Sequence, residues 1–417
     1  MPKISRPRRA PRRGTLLIAA ISGRALARAA ADAGLDALVA DFFADTDTHA
    51  IAVAYRKLPG ALSRGFQWAS LARALDALAK QAPSPLLGVI YGSGFEDRPA
   101  LLDQIAKRWP VLGNDAKTVA HIKSPDTFFA TLDRLAIPHP ATMMERPARD
   151  AGWIAKRRCG AGGSHVVPSR LQKSASDIYF QALMEGRTVS ALFVADGSRS
   201  RILGFSEQWT APAPGRLWRY GGAVRPAVLS ASVEAAATES IAKATKAFGL
   251  TGLASADFIV SGNTPYLLEI NPRPGATLDI FATAAKPLLR LHLDAVMDGK
   301  LPRIPSLDGA AASAVVYAPK RVIVPCNMNW PSWAADLPKP GERIDKQRPI
   351  CTLLARAGTR GRAKRLVEAR TASLLAKIQE WSKGEESEQE ERRERNARQG
   401  TAEPQRSGRA TGARPHR

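Results

Sequence analysis

The chain has 417 residues, of which 45% are hydrophobic, and it carries a formal net charge of +23. That length supports a large core and two or three domains, and no uninterrupted apolar run reaches the roughly 18 residues that a membrane-spanning helix needs. Cys159, Cys326 and Cys351 are too few and too widely spaced for a disulfide framework or a paired C-x-x-C site, and they fit a reducing cytoplasm.

Residues 1–13 are basic and read as a disordered start; Thr15–Ile21 behind them imitates a signal peptide, but Arg24, Arg28 and Asp32 interrupt the apolar stretch too early for export. Thr15–Ile21 reads as a buried strand, Arg24–Ala33 as a helix and Ala37–Asp41 as a second strand, one βαβ unit that implies a parallel sheet. The turn Ser22-Gly23 stands where an anion can meet a helix N-terminus, and Asp41, Asp45 and Asp47 form either a solvated loop or part of a substrate pocket. A helix over Leu71–Ala79, a strand over Leu86–Tyr91, a helix over Pro99–Arg108 and a short extended run at Pro110–Gly113 complete an α/β domain over 14–113.

Two helical stretches between Asn114 and Leu135 carry Lys123, and Ile137-Pro-His-Pro140 breaks the pattern. Strand runs follow at Gly152–Lys156, His165–Pro168, Ile178–Ala182, Thr188–Ala195 and Arg201–Glu207, then helices over Ser232–Phe248 and Leu278–Val296, so 114–300 reads as an α+β domain. The segment 301–381 has short strands and a closing amphipathic helix, and 382–417, crowded with glutamates and arginines, reads as a disordered tail. The positive charge outside the tails is scattered and lacks interleaved aromatics, which argues against nucleic acid as the principal partner and leaves anionic small molecules as the better match.

Three stretches carry candidate chemistry. Trp153-Ile-Ala-Lys156 precedes the turn Cys159-Gly160-Ala-Gly162-Gly163-Ser164-His165, whose glycines let backbone N–H groups close on phosphate oxygens while Lys156 supplies a fixed charge. Ala254–Val260 and Tyr266–Ile270 form a hairpin in which Glu269 and Asn271 share a face, and a three-residue loop at Gly262–Thr264 sets Asp257 opposite Glu269 where a two-residue loop flips that parity. Three hard oxygen donors suit magnesium, which keeps waters and takes further ligands from substrate phosphates. The same hairpin reads equally as an ordinary one with water-facing carboxylates.

Taken in order, Lys123, Lys156, the glycine turn, Tyr179-Phe-Gln-Ala-Leu-Met-Glu-Gly186, Asp257 and Leu268-Glu-Ile-Asn-Pro-Arg-Pro274 resemble the ATP-grasp superfamily of ligases over residues 15–300. The resemblance implies a parallel-sheet N-terminal domain, an ATP-grasp domain and a small β-rich C-terminal cap like that of biotin-carboxylase relatives. It implies ATP with Mg2+ (or Mn2+), held through Lys123, Lys156, Gly160, Gly162, Gly163 and Ser164, with backbone groups of Gln181, Ala182 and Leu183 as the adenine hinge. Thr188 stands where many members place a ribose-binding Glu, leaving Glu185 as a substitute. Asp257, Glu269 and Asn271 match the metal ligands, and Arg273 with Lys156 the charges on the transferred phosphate.

The implied activity is carboxylate–amine ligation of small molecules through an acyl phosphate, with bicarbonate-dependent carboxylation as the alternative. The stretches Asp41–Asp45 and Tyr91–Asp97 are similar to those of ATP-grasp proteins from methylotrophs and methanogens that make one-carbon carrier cofactors, which implies a biosynthetic role of that kind. Ser22, Gly23, the Tyr91–Asp97 loop and the Arg216–Arg225 stretch are expected near the acceptor substrate, Arg219 and Arg225 suiting an acidic one unless they merely face solvent. Cys159 has no partner constellation for a nucleophile and is expected to be a small loop residue.

Overall fold

The computed structural model describes residues 13–282 and 287–400, with side chains through Trp381. The N-terminal part runs β1 (Thr15–Ala19), α1 (Arg24–Asp32), β2 (Asp36–Asp41), α2 (Thr46–Ile51), β3 (Ala54–Lys57), α3 (Trp68–Ala79), β4 (Leu86–Tyr91) and α4 (Ala100–Ala106). Its four strands lie in the order β3-β2-β1-β4, all parallel. The unbroken apolar run of β1 follows from this topology, because both faces of a parallel sheet are covered. Leu16 and Ile18 enter one core with α1, and Leu17 and Ala19 enter the other with Leu71, Leu75 and Leu78 of α3.

Helices α5 (Ala116–Lys123) and α6 (Pro125–Arg134) lead into a small antiparallel sheet. It is made of β5 (Thr142–Met143), β6 (Trp153–Arg157), β7 (Val166–Pro168) and β8 (Ile178–Ala182), in the order β5-β8-β6-β7. The chain then enters an eight-stranded sheet through β9 (Arg187–Asp196), β10 (Ser200–Thr210) and β11 (Tyr220–Arg225). After α7 (Ala231–Phe248) come β12 (Thr251–Ser261) and β13 (Thr264–Asn271). Ser230 caps α7 by accepting from Val233 N, and Gly249 ends it in the left-handed conformation. Helix α7 packs on the face presenting Val189, Ala191 and Phe193, so the intervening Ser190 points to the other face, where the candidate site lies.

Where a single helix over Leu278–Val296 was expected, there are two, α8 (Leu278–Phe281) and α9 (Leu288–Asp298), with Pro287 at the N-cap of the second. The C-terminal segment does not form a separate sheet of its own on the ATP-grasp region. Its β14 (Ala310–Tyr317), β16 (Ala334–Ala335) and β18 (Pro349–Ala357) continue the large sheet, in the order β13-β12-β9-β10-β11-β14-β18-β16, leaving only β15 (Val322–Ile323) and β17 (Arg343–Ile344) as a two-stranded pair. Pairing with β14 satisfies the backbone of β11, which is otherwise an open edge. Helix α10 (Arg360–Gly400) packs Ala363, Val367, Leu374 and Ile378 on this end. Its backbone continues into the segment 382–417 that composition marked as disordered, because Glu, Arg, Lys and Gln are strong helix formers even without an apolar face. Residues 401–417, like the basic start 1–12, lie outside the described residues.

Candidate active site

A cavity of about 520 Å³ opens between the small sheet, the large sheet and α5. Lys123, Lys156, Gly160, Gly162, Gly163, Gln181, Ala182, Leu183, Asp257, Glu269, Asn271 and Arg273 all line it. Ser164 and Glu185 do not, and Thr188 does. The ribose substitution by Glu185 therefore fails, since that residue is exposed outside the cavity.

The metal candidates converge through a register that differs from the expected one. The hairpin loop has two residues, Gly262 and Asn263, with Ser261 paired to Thr264 and Phe258 to Leu267. Continued regularly, that register sets Asp257 against Leu268. A β-bulge between Asp257 and Phe258 absorbs the extra residue, Leu268, and brings Asp257 opposite Glu269 and Ser255 opposite Asn271. Asp257 thus faces the cavity beside Glu269 because of a bulge and not because of loop length.

Charges are tightly balanced there. Lys123 Nζ donates to Asn271 Oδ1 at 2.8 Å and lies 3.3 Å from Glu269 Oε2. Asn271 Nδ2 reaches both carboxylates, at 3.4 Å from Asp257 Oδ2 and 3.4 Å from Glu269 Oε1. Burial and the Glu269 charge push Asp257 up, while Glu269 is held down because Lys123 and Lys156 outweigh its burial. Two carboxylates pressed together in this way favour a divalent cation between them. Among the described residues no group of three or more His, Cys, Asp or Glu stands ready to hold a metal unaided. Two carboxylates and one amide fit magnesium, which completes its shell with water and phosphate oxygens.

Lys156 Nζ donates to Gln181 Oε1 at 2.8 Å, and Gln181 Nε2 donates to Thr142 Oγ1 at 3.1 Å. Burial lowers the Lys156 ammonium, offset in part by Glu269 and Asp257. The Gln181 side chain therefore orients the lysine. In the hinge Gln181–Leu183, Ala182 N donates to Ala141 O and Leu183 N to Gly152 O, each at 2.8 Å, so any backbone contact of these two residues with a base falls to their carbonyls. The next cavity-lining amide, that of Met184, has no partner among the described residues and is the one free to meet a base.

The glycine turn is docked. Gly162 O accepts from Tyr220 N at 2.9 Å, and a Cβ on Gly163, whose φ is +69°, would lie 1.9 Å from Trp218 O. A Cβ on Gly160 would meet the His165 ring at 2.3 Å. His165 lines the cavity with Nδ1 buried and unpartnered, and burial lowers its pKa to about 4. Cys159 is a loop residue whose thiol burial pushes up and whose Sγ lies 3.8 Å from Lys123 O.

Arg273 is set from the N-terminal domain. Its Nε donates to Glu96 Oε1 at 2.7 Å, both side chains being about nine-tenths buried, and Glu96 Oε2 accepts from Gly94 N at 2.7 Å and Phe95 N at 3.0 Å. Burial opposes the charge on Glu96, but Arg273 and Lys123 outweigh it and hold the carboxyl low. The Tyr91–Asp97 loop thus acts through Arg273 and does not itself line the cavity. Asn114 clasps the same strand end, donating to Pro272 O at 2.8 Å and Thr251 O at 3.0 Å and accepting from Thr251 N at 2.8 Å.

Of the other substrate candidates, Trp218 and Tyr220 of the Arg216–Arg225 stretch line the cavity, and the rest lie elsewhere. Gly23 N donates to Asp41 Oδ2 at 2.9 Å, so a protein carboxylate already fills the start of α1. Asp47 accepts from the amides of Asp336 and Leu337 and ties α2 to the C-terminal segment, while burial and the neighbouring acids push Asp45 up to about 9. Arg219 and Arg225 are neither solvated nor in the cavity, both being buried on backbone carbonyls, Arg219 on Ala211 O and Gln347 O and Arg225 on Ile280 O and Gly309 O. Sequence reasoning missed Ser190 and Gln208, which flank Asp257 on β9 and β10. Their one signal is polarity inside apolar strand runs.

A parallel-sheet domain, a small lid sheet with a glycine turn, and two carboxylates with an amide on a hairpin of the large sheet together define the ATP-grasp fold. Residues 127–277 match the family model described as the ATP-grasp domain, and the chain carries that domain. Members of this family are ATP-dependent ligases. An uncharacterised protein of Methanocaldococcus jannaschii is 26% identical over 111 residues, which cover 27% of this chain and 28% of that relative.

Among solved structures, an L-amino acid ligase of Bacillus licheniformis superposes with a TM-score of 0.65 at 13% identity, over 86% of this chain and 97% of that one. N5-carboxyaminoimidazole synthetase of Staphylococcus aureus with ADP gives 0.62 at 14%, over 86% and 97%. Biotin carboxylase of Campylobacter jejuni gives 0.60 at 15%, over 84% and 88%. At such identities the likeness is one of fold. Among the described residues no helix is long and apolar enough to cross a membrane.

Proposed function

We propose that the protein is a Mg-ATP-dependent carboxylate–amine ligase that activates a small-molecule carboxylate as an acyl phosphate, releases ADP and phosphate, and passes the acyl group to an amine. The observation that carries this is the convergence of Asp257, Glu269 and Asn271 with Lys123, Lys156 and Arg273 around one cavity closed by a glycine turn. Magnesium, when bound, would neutralise phosphate charge and polarise the phosphoryl oxygens. The protein's own contribution is preorganised charge. Lys156, aimed by Gln181, and Arg273, aimed by Glu96, stand ready for the oxygens of a transferred phosphoryl group. The glycine turn, held by Tyr220 and Trp218, covers the phosphates and keeps water from an activated acyl group.

Carboxylation with bicarbonate is the second reading, favoured by the fold shared with biotin carboxylase and by large-sheet strands from the C-terminal segment. The sequence resemblance adds a place in the biosynthesis of a one-carbon carrier cofactor. Calorimetric titration with magnesium and a non-hydrolysable ATP analogue, beside Glu269→Ala and Lys156→Ala, tests the site. Binding by the wild type with at least tenfold weaker binding by both variants is expected, and no binding by the wild type refutes the proposal. ADP release that requires bicarbonate but no amine would move the assignment to the second reading.

A further inference from the structure

The part of the cavity on the far side of the glycine turn from the hinge has a different character from the rest. Its walls are Trp218 from the loop before β11, Tyr220 of β11 and Tyr317 of β14, with Gln208 and Thr210 beside them. The hinge, lysine and carboxylate groups account for base, phosphates and metal, so these aromatic walls belong to whatever receives the phosphoryl or acyl group.

The rings are held in place by features with no other evident role. Tyr317 OH donates to Tyr220 O at 2.7 Å, and the Arg219 guanidinium lies 3.6 Å from the centre of the Tyr317 ring, itself fixed to Ala211 O and Gln347 O. The Tyr220 hydroxyl is buried and makes no hydrogen bond of good geometry, although Ser313 lies nearby. Carboxylates lining the cavity are confined to Asp257 and Glu269, and Arg219, the arginine beside the rings, is turned away from it.

We infer, on the basis of the ligase reading above, that one of the two substrates joined by this enzyme carries an aromatic ring that seats between Trp218, Tyr220 and Tyr317. Rigid rings present large contact area at little cost in conformational entropy. Offset and edge-on ring contacts add to apolar burial, which an aliphatic chain of equal length does not match.

The test uses the full-length protein saturated with ADP and magnesium, titrated with two matched pairs, 3-phenylpropionate against hexanoate and 2-phenylethylamine against hexylamine. Affinities are read by ligand-observed NMR and by tryptophan fluorescence. In at least one pair the aromatic probe is expected to bind at least tenfold tighter. Tyr317→Leu is expected to shrink that preference below threefold with ADP affinity within twofold of wild type. Equal binding within twofold in both pairs, or no binding of either aromatic probe to protein that binds ADP, overturns the inference. Failure of the wild type to bind ADP overturns the ligase reading itself, and the inference with it.

Discussion

Replacing Glu96 by Gln tests how the N-terminal domain sets Arg273. In the native protein Glu96 Oε1 takes the Arg273 Nε bond and Oε2 takes two backbone amides, with about nine-tenths of each side chain out of water. A glutamine keeps the shape but has one carbonyl oxygen for three donors and no charge for the guanidinium. Breaking a buried pair by removing one partner's charge costs about 3–5 kcal/mol. Retention of one hydrogen bond by the glutamine places Glu96→Gln near the lower end, at about 3 kcal/mol. Glu96→Ala additionally orphans the amides of Gly94 and Phe95, at about 1–3 kcal/mol each, and so exceeds it. Urea unfolding with linear extrapolation measures both, and ATP-analogue affinity measured on folded Glu96→Gln reports whether Arg273 stays in place. Stability of Glu96→Gln within about 0.5 kcal/mol of wild type, or Glu96→Ala no worse than Glu96→Gln, would refute the reasoning.

Gly163→Ala and Gly162→Ala separate sterics from backbone preference. Both glycines have φ near +70°, but a Cβ at 163 meets Trp218 O at 1.9 Å while one at 162 meets nothing within 4 Å. Gly163→Ala is therefore expected to lower ATP-analogue affinity at least tenfold and Gly162→Ala only a few-fold, and equal effects would show that the turn is not docked there. Gln181→Leu removes the acceptor of a charged hydrogen bond worth about 1.5–3 kcal/mol, so calorimetry should show ATP-analogue affinity reduced about tenfold or more, and unchanged affinity would mean that Lys156 needs no such guide. His292 accepts from Leu253 N at Nδ1 and therefore donates from Nε2 to Leu112 O, and burial lowers its pKa to about 4. Its contribution is present above the unfolded value of about 6.5 and is lost as pH falls toward 4, because only the unfolded chain takes up the proton in that window. The wild type should lose about 2 kcal/mol between pH 7 and pH 5 that His292→Gln does not, and parallel pH profiles for the two would exclude the assignment.

Elements whose character is set locally were legible from the residues. Leu86–Tyr91 and Ile178–Ala182 have the bounds that their apolar runs suggest. The parallel sheet followed from an apolar run too uniform for a half-exposed strand. What escaped was set by distant partners. The bulge at Leu268 is invisible in Tyr266-Leu-Leu-Glu, because either register leaves an apolar residue facing in, and only pairing with β12 decides it. Arg219 and Arg225 look like substrate ligands as isolated charges, yet their partners are carbonyls 8 to 128 residues away along the chain. The hinge amides are spent for the same reason, since Ala141 and Gly152 reach them only once the small sheet has closed. Glu96 sat in a stretch already marked for attention, but nothing in the sequence says that it meets Arg273 and not a substrate.

These dependencies bear on what counts as the functional unit. The matched domain spans 127–277, which excludes Lys123, Glu96, Asn114 and every strand beyond β13. Arg273 inside it would lose Glu96, Pro272 and Thr251 would lose Asn114, and Asn271 would lose Lys123. The far end of the cavity would lose Tyr317, and β11 would present an unpaired edge. Arg24 adds a further tie from outside, with a bidentate bond to Asp279 at 2.6 and 2.7 Å and a bond to Asp336 at 2.9 Å, so that one buried guanidinium joins α1, α8 and the C-terminal segment just beyond Arg273. Removing the flanking segments leaves the Arg273 guanidinium without Glu96 and Glu269 without Lys123, a loss of several kcal/mol against a total stability of about 5–15 kcal/mol. The geometry of the candidate site is therefore a property of all three segments together, and the contacts named here run from Thr15 to Ile378 of α10.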